Sequence, residues 1–124
     1  MNIYVSHSSS YDYVNYLYVP IEQSNLIKKH NFFLPHKKEN LPMKPNNNIS
    51  NFDVVLAEVS FPSTGQGIEL GWAQCLNKPI ICIYKKNAKI SSALKVTTNI
   101  FIEYSTKSEM IKKFEDILKT INIF

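Results

Sequence analysis

The chain has 124 residues, 44% of them hydrophobic and 19% charged, the size and balance of one globular domain, 1–124, with a continuous core. Its formal charge of +4 comes from fourteen lysines and no arginine, so no guanidinium fork exists to grip a phosphate or read guanine, and duplex nucleic acid is not an expected partner. No apolar run approaches the roughly 18 residues of a membrane span, and the opening "MNIYVSHSSS" lacks a basic-then-apolar leader, so no membrane contact and a cytoplasmic location are expected.

In chain order, "NIYVS" (2–6) is short, apolar and β-branched, and predicts a buried strand. Ser10 or Asp12 is placed to cap a helix whose apolar stripe runs through Val14, Leu17, Tyr18 and Ile21. Pro20 predicts a kink or break in it, and Lys28-Lys29-His30 an end suited to the helix dipole. "NFFLP" (31–35) predicts a second strand, and the polar "HKKENLPMKPNNNIS" a loop with a short helix at most. Strands follow at 53–59, 77–84 and 99–104, with helices at roughly 65–76 and 90–97 between them. Met110, Ile111, Phe114, Ile117, Leu118 and Ile121 trace one face of a last helix over about 106–121, capped by Ser105 or Thr106.

This alternation predicts an α/β fold with a five-stranded parallel sheet covered on both faces. Ligands of such sheets bind at the carboxyl ends of the strands. The loops there are 6–12, 35–45, 60–67 and 85–92.

The third strand runs into "SFPSTGQGIELGWA". Gly65 and Gly67 allow a positive φ or close approach to a ligand, Ser63 and Thr64 add hydroxyl donors, and the following helix start favours an anion. The pattern is neither GxGxxG nor a Walker loop. Glu69, expected in the first helical turn, reads either as a carboxylate favouring the macrodipole or as a nucleophile for an anomeric carbon. Glu58 reads as a buried, amide-bonded carboxylate and His7 as a solvated loop residue. Tyr11, Tyr13, Tyr16 and Tyr18 read as core or dimer packing, Trp72 as packing α-helix on sheet or on a second subunit, and Asp53 as structural. Cys75 and Cys82 form no metal or disulfide pattern and are expected to be reduced and mostly buried.

The segment "DVVLAEVSFPSTGQGIELGWA", with "IYVS", "LPH" and "KISSALK" elsewhere, resembles the nucleoside 2-deoxyribosyltransferase superfamily, nearest to its 2'-deoxynucleoside 5'-monophosphate N-glycosidases. The resemblance implies a flavodoxin-like three-layer sandwich, no cofactor or metal, a nucleoside or nucleotide ligand, and a homodimer with a shared active site. It implies that Glu69 is the nucleophile on C1' and that the Tyr4 hydroxyl orients it or the sugar. Ser63 matches a serine near the 5'-phosphate, Ser8 and Gly65 match other phosphate-loop positions, and Gly67 completes that cradle. Ser91 matches a serine reaching the phosphate across the dimer interface, and His36 a histidine following the second strand. Two departures stand out. Where the family has an acid that protonates the leaving base, near Pro45, "KPNNNISN" carries no carboxylate, and Glu39 and His36 are the nearest substitutes. The first loop reads "SHSSS" where the monophosphate-cleaving branch has an arginine and glycines. Two other readings stand beside this one: "VSHSSSYD" resembles the opening of TIR-like NAD glycohydrolases, and the missing acid suits a non-catalytic nucleotide-binding module.

Overall fold

The computed structural model of the chain describes residues 1–40 and 49–121. Five strands, β1 (Asn2–His7), β2 (Asn31–Phe33), β3 (Val54–Glu58), β4 (Ile80–Lys85) and β5 (Phe101–Tyr104), form one all-parallel sheet in the order β2-β1-β3-β4-β5. From β1 the chain moves outward to β2, then crosses back to lay β3 on the other side of β1. That reversal is the topological switch point, and the crevice above the carboxyl ends of β1 and β3 is where this flavodoxin-like order places ligands. His7 and Glu58 are register partners at that edge.

Alternation along the strands sends side chains to two cores. On one face Ile3, Val5, Leu56 and Ile83 pack against Leu17 and Ile21, and against Phe114 of α4 (Lys107–Leu118). On the other, Tyr4, Val55 and Ala57 meet Leu70 and Ala73 of α3 (Thr64–Cys75). The result is the three-layer α/β sandwich expected from the sequence. Each large core side chain is costly to remove: truncating Phe114, 1% exposed, to alanine costs about 3–5 kcal/mol.

The first helix is more fragmented than one kink. Val14–Tyr18 is a π turn in which the Val19 amide donates to the Val14 carbonyl. Pro20 follows in the first turn of α1 (Val19–Glu22); it has no N–H to donate and its ring would collide with the carbonyl one turn back, which the wider turn avoids. The Ser24 hydroxyl then donates to the Ile21 carbonyl at 2.7 Å and accepts the Leu26 amide at 3.2 Å, ending α1 and opening α2 (Leu26–Lys29). Asp12 is the cap, accepting the Asn15 amide at 3.2 Å.

The segment read as a helix over 90–97 is a 3-10 turn, Ser92–Val96, closed by the Thr97 amide and hydroxyl on the Leu94 carbonyl at 3.0 and 2.7 Å. α4 is capped as expected: the Thr106 hydroxyl accepts the Glu109 amide at 3.1 Å while Glu109 accepts the Ser105 amide at 3.0 Å. Asp53 is structural, taking the Asn2 amide at 2.7 Å at the amino end of the sheet. Of the thiols only Cys82 is buried; Cys75, on the outward side of α3, is exposed. Among the described residues no helix is long and apolar enough to cross a membrane.

Candidate active site

The geometry of α3 decides where Glu69 stands. Ser63 is its N-cap, in extended backbone, with its hydroxyl accepting the Gln66 amide at 3.4 Å. The helix therefore starts at Thr64, and Gly65 and Gly67 lie inside it. No glycine has a positive φ, and a Cβ added at Gly65 or Gly67 would meet nothing within 4 Å. Of the two readings of these glycines, a positive φ is absent, and the uncovered helix backbone they leave suits the other, close approach of a ligand. Glu69 accordingly falls in the second turn, beyond the reach of the macrodipole effect expected for the first.

What holds Glu69 is β1. Tyr4 and Ser6 are two apart on the strand and so project to the same face, toward α3. The Tyr4 hydroxyl donates to Glu69 Oε2 and the Ser6 hydroxyl to Oε1 at 3.0 Å. The Tyr4 ring is fixed by a stack on Phe33 at 5.5 Å and an edge contact with Phe52 at 5.2 Å, contacts of about 0.5–1.5 kcal/mol each. Burial pushes the Glu69 carboxyl above its ordinary range, and the bonds from Tyr4 and Ser6 pull it part of the way back. A partly buried carboxylate with both oxygens aimed by hydroxyls is oriented for one direction of attack. Ser6 was not singled out from the sequence; the two-residue period linking it to Tyr4 was the available signal.

A second set of residues lies on the opposite face of β1. His7 is not solvated: it is the last residue of β1 and 5% exposed. Its Nδ1 lies 2.8 Å from the Ser8 carbonyl, which can only accept, so Nδ1 carries the proton and Nε2 takes the Tyr18 hydroxyl at 2.7 Å. The Tyr18 oxygen in turn accepts the His36 amide at 2.9 Å. Burial lowers the His7 pKa to about 4, with the Ser8 bond opposing and nearby His36 adding to the fall. His36 is partly buried against His7 and Tyr13, and burial lowers its pKa too. Ser8 is 3% exposed, and its hydroxyl is engaged by Ser10 at 2.7 Å.

Ser63 and Ser91 meet elsewhere, on a groove of about 520 Å³ lined also by Thr64, Gly67, Leu70 and Gly71. Ser91 caps the 3-10 turn, its hydroxyl accepting the Ala93 amide at 3.3 Å. Within one chain the residues anticipated from the sequence thus form three groups: Tyr4 with Glu69, His36 with the Ser8 loop, and Ser63 with Ser91 and Gly67. Trp72 does not seal α3 onto the sheet but is 37% exposed. Glu39 sits in an exposed 3-10 turn, Lys38–Asn40. The position near Pro45 lies outside the described residues.

No family model matches the chain. Over 43 residues it is 49% identical to the 5-hydroxymethyl-dUMP N-hydrolase of Rattus norvegicus, a match covering 34% of this chain and 26% of that protein. The human protein of the same name is 46% identical over 43 residues, covering 34% of this chain and 25% of that one. The chain therefore aligns with only about a quarter of these relatives. Among solved structures, the Clostridium botulinum CMP N-glycosidase BcmB superposes with a TM-score of 0.62 over 93% of this chain and 99% of that one, at 21% identity. At that identity the likeness shows the fold. The chain resembles the nucleoside 2-deoxyribosyltransferase-like N-glycosidases in a sequence segment and in its fold.

Proposed function

We propose that the protein is a nucleotide N-glycosidase, cleaving the bond between base and sugar of 2'-deoxynucleosides or their 5'-monophosphates with Glu69 as nucleophile. One observation carries the reading: a partly buried carboxylate at the sheet's carboxyl edge whose two oxygens are held by Tyr4 and Ser6. The names of the partial relatives point to the same bond. In the reaction a Glu69 oxygen bonds to C1' as the C1'–N bond breaks and its electron pair leaves with the base. The base takes a proton from solvent or from His36 or Glu39. Water then attacks C1' and gives up a proton to solvent as the C1'–Glu69 bond breaks, which returns the carboxylate and yields the free sugar; a second base in place of water makes the reaction a transfer. Before attack the hydroxyls of Tyr4 and Ser6 donate to the carboxylate and aim its free lone pair at the sugar. Ser63, Gly65, Gly67, Ser91 and Ser8 are assigned to holding the sugar phosphate, and His36 to the base side.

The test is incubation with each 2'-deoxynucleoside and 5'-monophosphate, with and without a second free base, and with NAD as a separate arm. Base release that disappears in Glu69→Gln supports the reading, and incorporation of the second base adds transfer. NAD cleavage alone would replace it with the TIR-like chemistry. Nucleotide binding without turnover would replace it with a binding module, which the lack of a carboxylate around Pro45 favours.

We read the working unit as a homodimer. Ile68 and Trp72 on α3 and Leu76 at its C-cap, spaced four apart, are 50%, 37% and 47% exposed, and Val96 is 72% exposed, an apolar stripe suited to a second copy of the chain. Sedimentation should give a dimer that Trp72→Glu dissociates, with activity falling alongside. A monomer fully active at all concentrations would remove this part.

A further inference from the structure

The carboxyl edge of the sheet holds a second carboxylate, Glu58, that the scheme above does not use. It ends β3 and is 1% exposed. It alternates with Val54 and Leu56, so it projects onto the face away from α3, where Tyr104 lies. Three protein hydrogens converge on its two oxygens. The Ser60 amide donates to Oε1 at 2.6 Å, the Ser60 hydroxyl to Oε2 at 3.0 Å, and the Tyr104 hydroxyl also to Oε2. Ser60 Oγ accepts the Lys85 amide at 2.8 Å, and the Glu58 carbonyl accepts Gln66 Nε2 at 2.8 Å. The ends of β3, β4 and β5 and the first turn of α3 are thus tied through one residue and its neighbour Ser60.

The tied segment is 60–66, which includes Ser63 and Gly65. Its Phe61 is stacked under the Tyr11 ring at 4.6 Å, so the segment is gripped from both sides. Burying a carboxylate this deeply is costly unless every lone pair it offers is used. A neutral amide replaces it only in part: its one oxygen can take the Ser60 amide, but the Ser60 and Tyr104 hydroxyls then lose a charged acceptor and must turn to accept from the amide N–H. Glu69, by contrast, is anchored to β1 by Tyr4 and Ser6 and shares none of these bonds.

We infer that Glu58 is a positioning residue for the 60–66 segment, fixing Ser63 and Gly65 relative to Glu69 and so setting how tightly the sugar phosphate is held, not how fast its glycosidic bond is cut. The inference rests on the N-glycosidase reading for the identity of the ligand. It separates two kinetic quantities, because the segment that binds and the carboxylate that reacts are held by different strands.

The experiment compares the wild-type chain with Glu58→Gln, Tyr104→Phe and Ser60→Ala. It measures steady-state kinetics on the best 5'-monophosphate substrate and, separately, direct binding of 2-deoxyribose 5-phosphate. Glu58→Gln should raise KM and weaken sugar-phosphate binding about tenfold while kcat stays within about threefold. Tyr104→Phe and Ser60→Ala, which keep the carboxylate and remove one donor each, should shift both in the same direction by less. Unchanged KM and binding, or an equal fall in kcat and kcat/KM, would overturn the inference. If Glu58→Gln does not fold, the two milder variants decide it by the same criterion. If the wild-type protein releases no base, the N-glycosidase reading fails and binding alone judges Glu58. Weaker sugar-phosphate binding in the variants would then sustain the positioning role, and equal binding, or none in the wild type, would overturn it.

Discussion

Glu69 and Glu58 stand on opposite faces of one sheet edge, and their surroundings differ in kind. Burial raises the carboxyl pKa of both; hydroxyls from Tyr4 and Ser6 oppose it at Glu69, and Tyr104 and Ser60 oppose it at Glu58. Glu58 is sealed at 1% exposure and receives three donors, one of them a backbone amide of its own loop. Glu69 is open on one side and receives two, both from side chains of a single strand. A sealed carboxylate saturated by its own chain holds the structure together. One that is aimed, raised and only partly buried retains capacity for a ligand. The contrast turns two similar buried glutamates into different assignments.

The largest expected effect is at the open one: Glu69→Gln should lower base release by about a thousandfold or more, read by chromatography of the freed base, whereas residual activity near the wild-type rate would erase the distinction. Next is Tyr4→Phe, which takes away one aiming hydroxyl and should cost about a hundredfold in kcat. It should also move the acid limb of the kcat/KM profile to higher pH, because the lost bond was holding the Glu69 carboxyl down. An unchanged profile would mean that Tyr4 packs and does not tune. The roughly tenfold KM effect expected of Glu58→Gln comes after these.

The smallest effect concerns stability and has a defined sign. The folded-state pKa of Glu69 is raised above the ordinary 4.5, so the fold favours its neutral form. The stability tied to it is complete below 4.5 and is lost as pH rises through the folded value. Glu69→Gln, neutral throughout, keeps an acceptor for the Tyr4 hydroxyl and puts an N–H where Ser6 now donates, which the Ser6 hydroxyl meets by turning to accept. It should melt above the wild type at neutral pH, with the gap closing as pH falls toward 4.5. Equal melting at neutral pH would mean that the carboxylate is not held at a cost.

Much of this was legible in the sequence because apolar runs and their spacing depend on burial, which is local in pattern. The five strands and the last helix follow from that alone, while the Gly-x-Gly-Ile-Glu-Leu-Gly segment makes Glu69 a candidate only through its family resemblance. What depended on register was not legible. β1 extends one residue past the expected strand, which turns His7 from a loop residue into a buried one. Ser6 gained its role only when β1 was set opposite α3. Gly65 and Gly67 left a positive φ and a close approach to a ligand both open, and only the Ser63 cap, which starts the helix ahead of both, removes the first. The fragmentation around Pro20 was foreseen as a break, but the π turn relieving it follows from backbone geometry that composition does not encode.

The central claim is that Glu69 itself bonds to the sugar, and acid quench of a single turnover followed by peptide mass spectrometry tests it most directly. With a 2'-deoxynucleoside 5'-monophosphate, the peptide containing Glu69 should carry the added mass of a deoxyribose phosphate, and the Glu69→Gln peptide none. Base release that continues undiminished in Glu69→Gln, with no adduct on the wild-type peptide, would contradict the account.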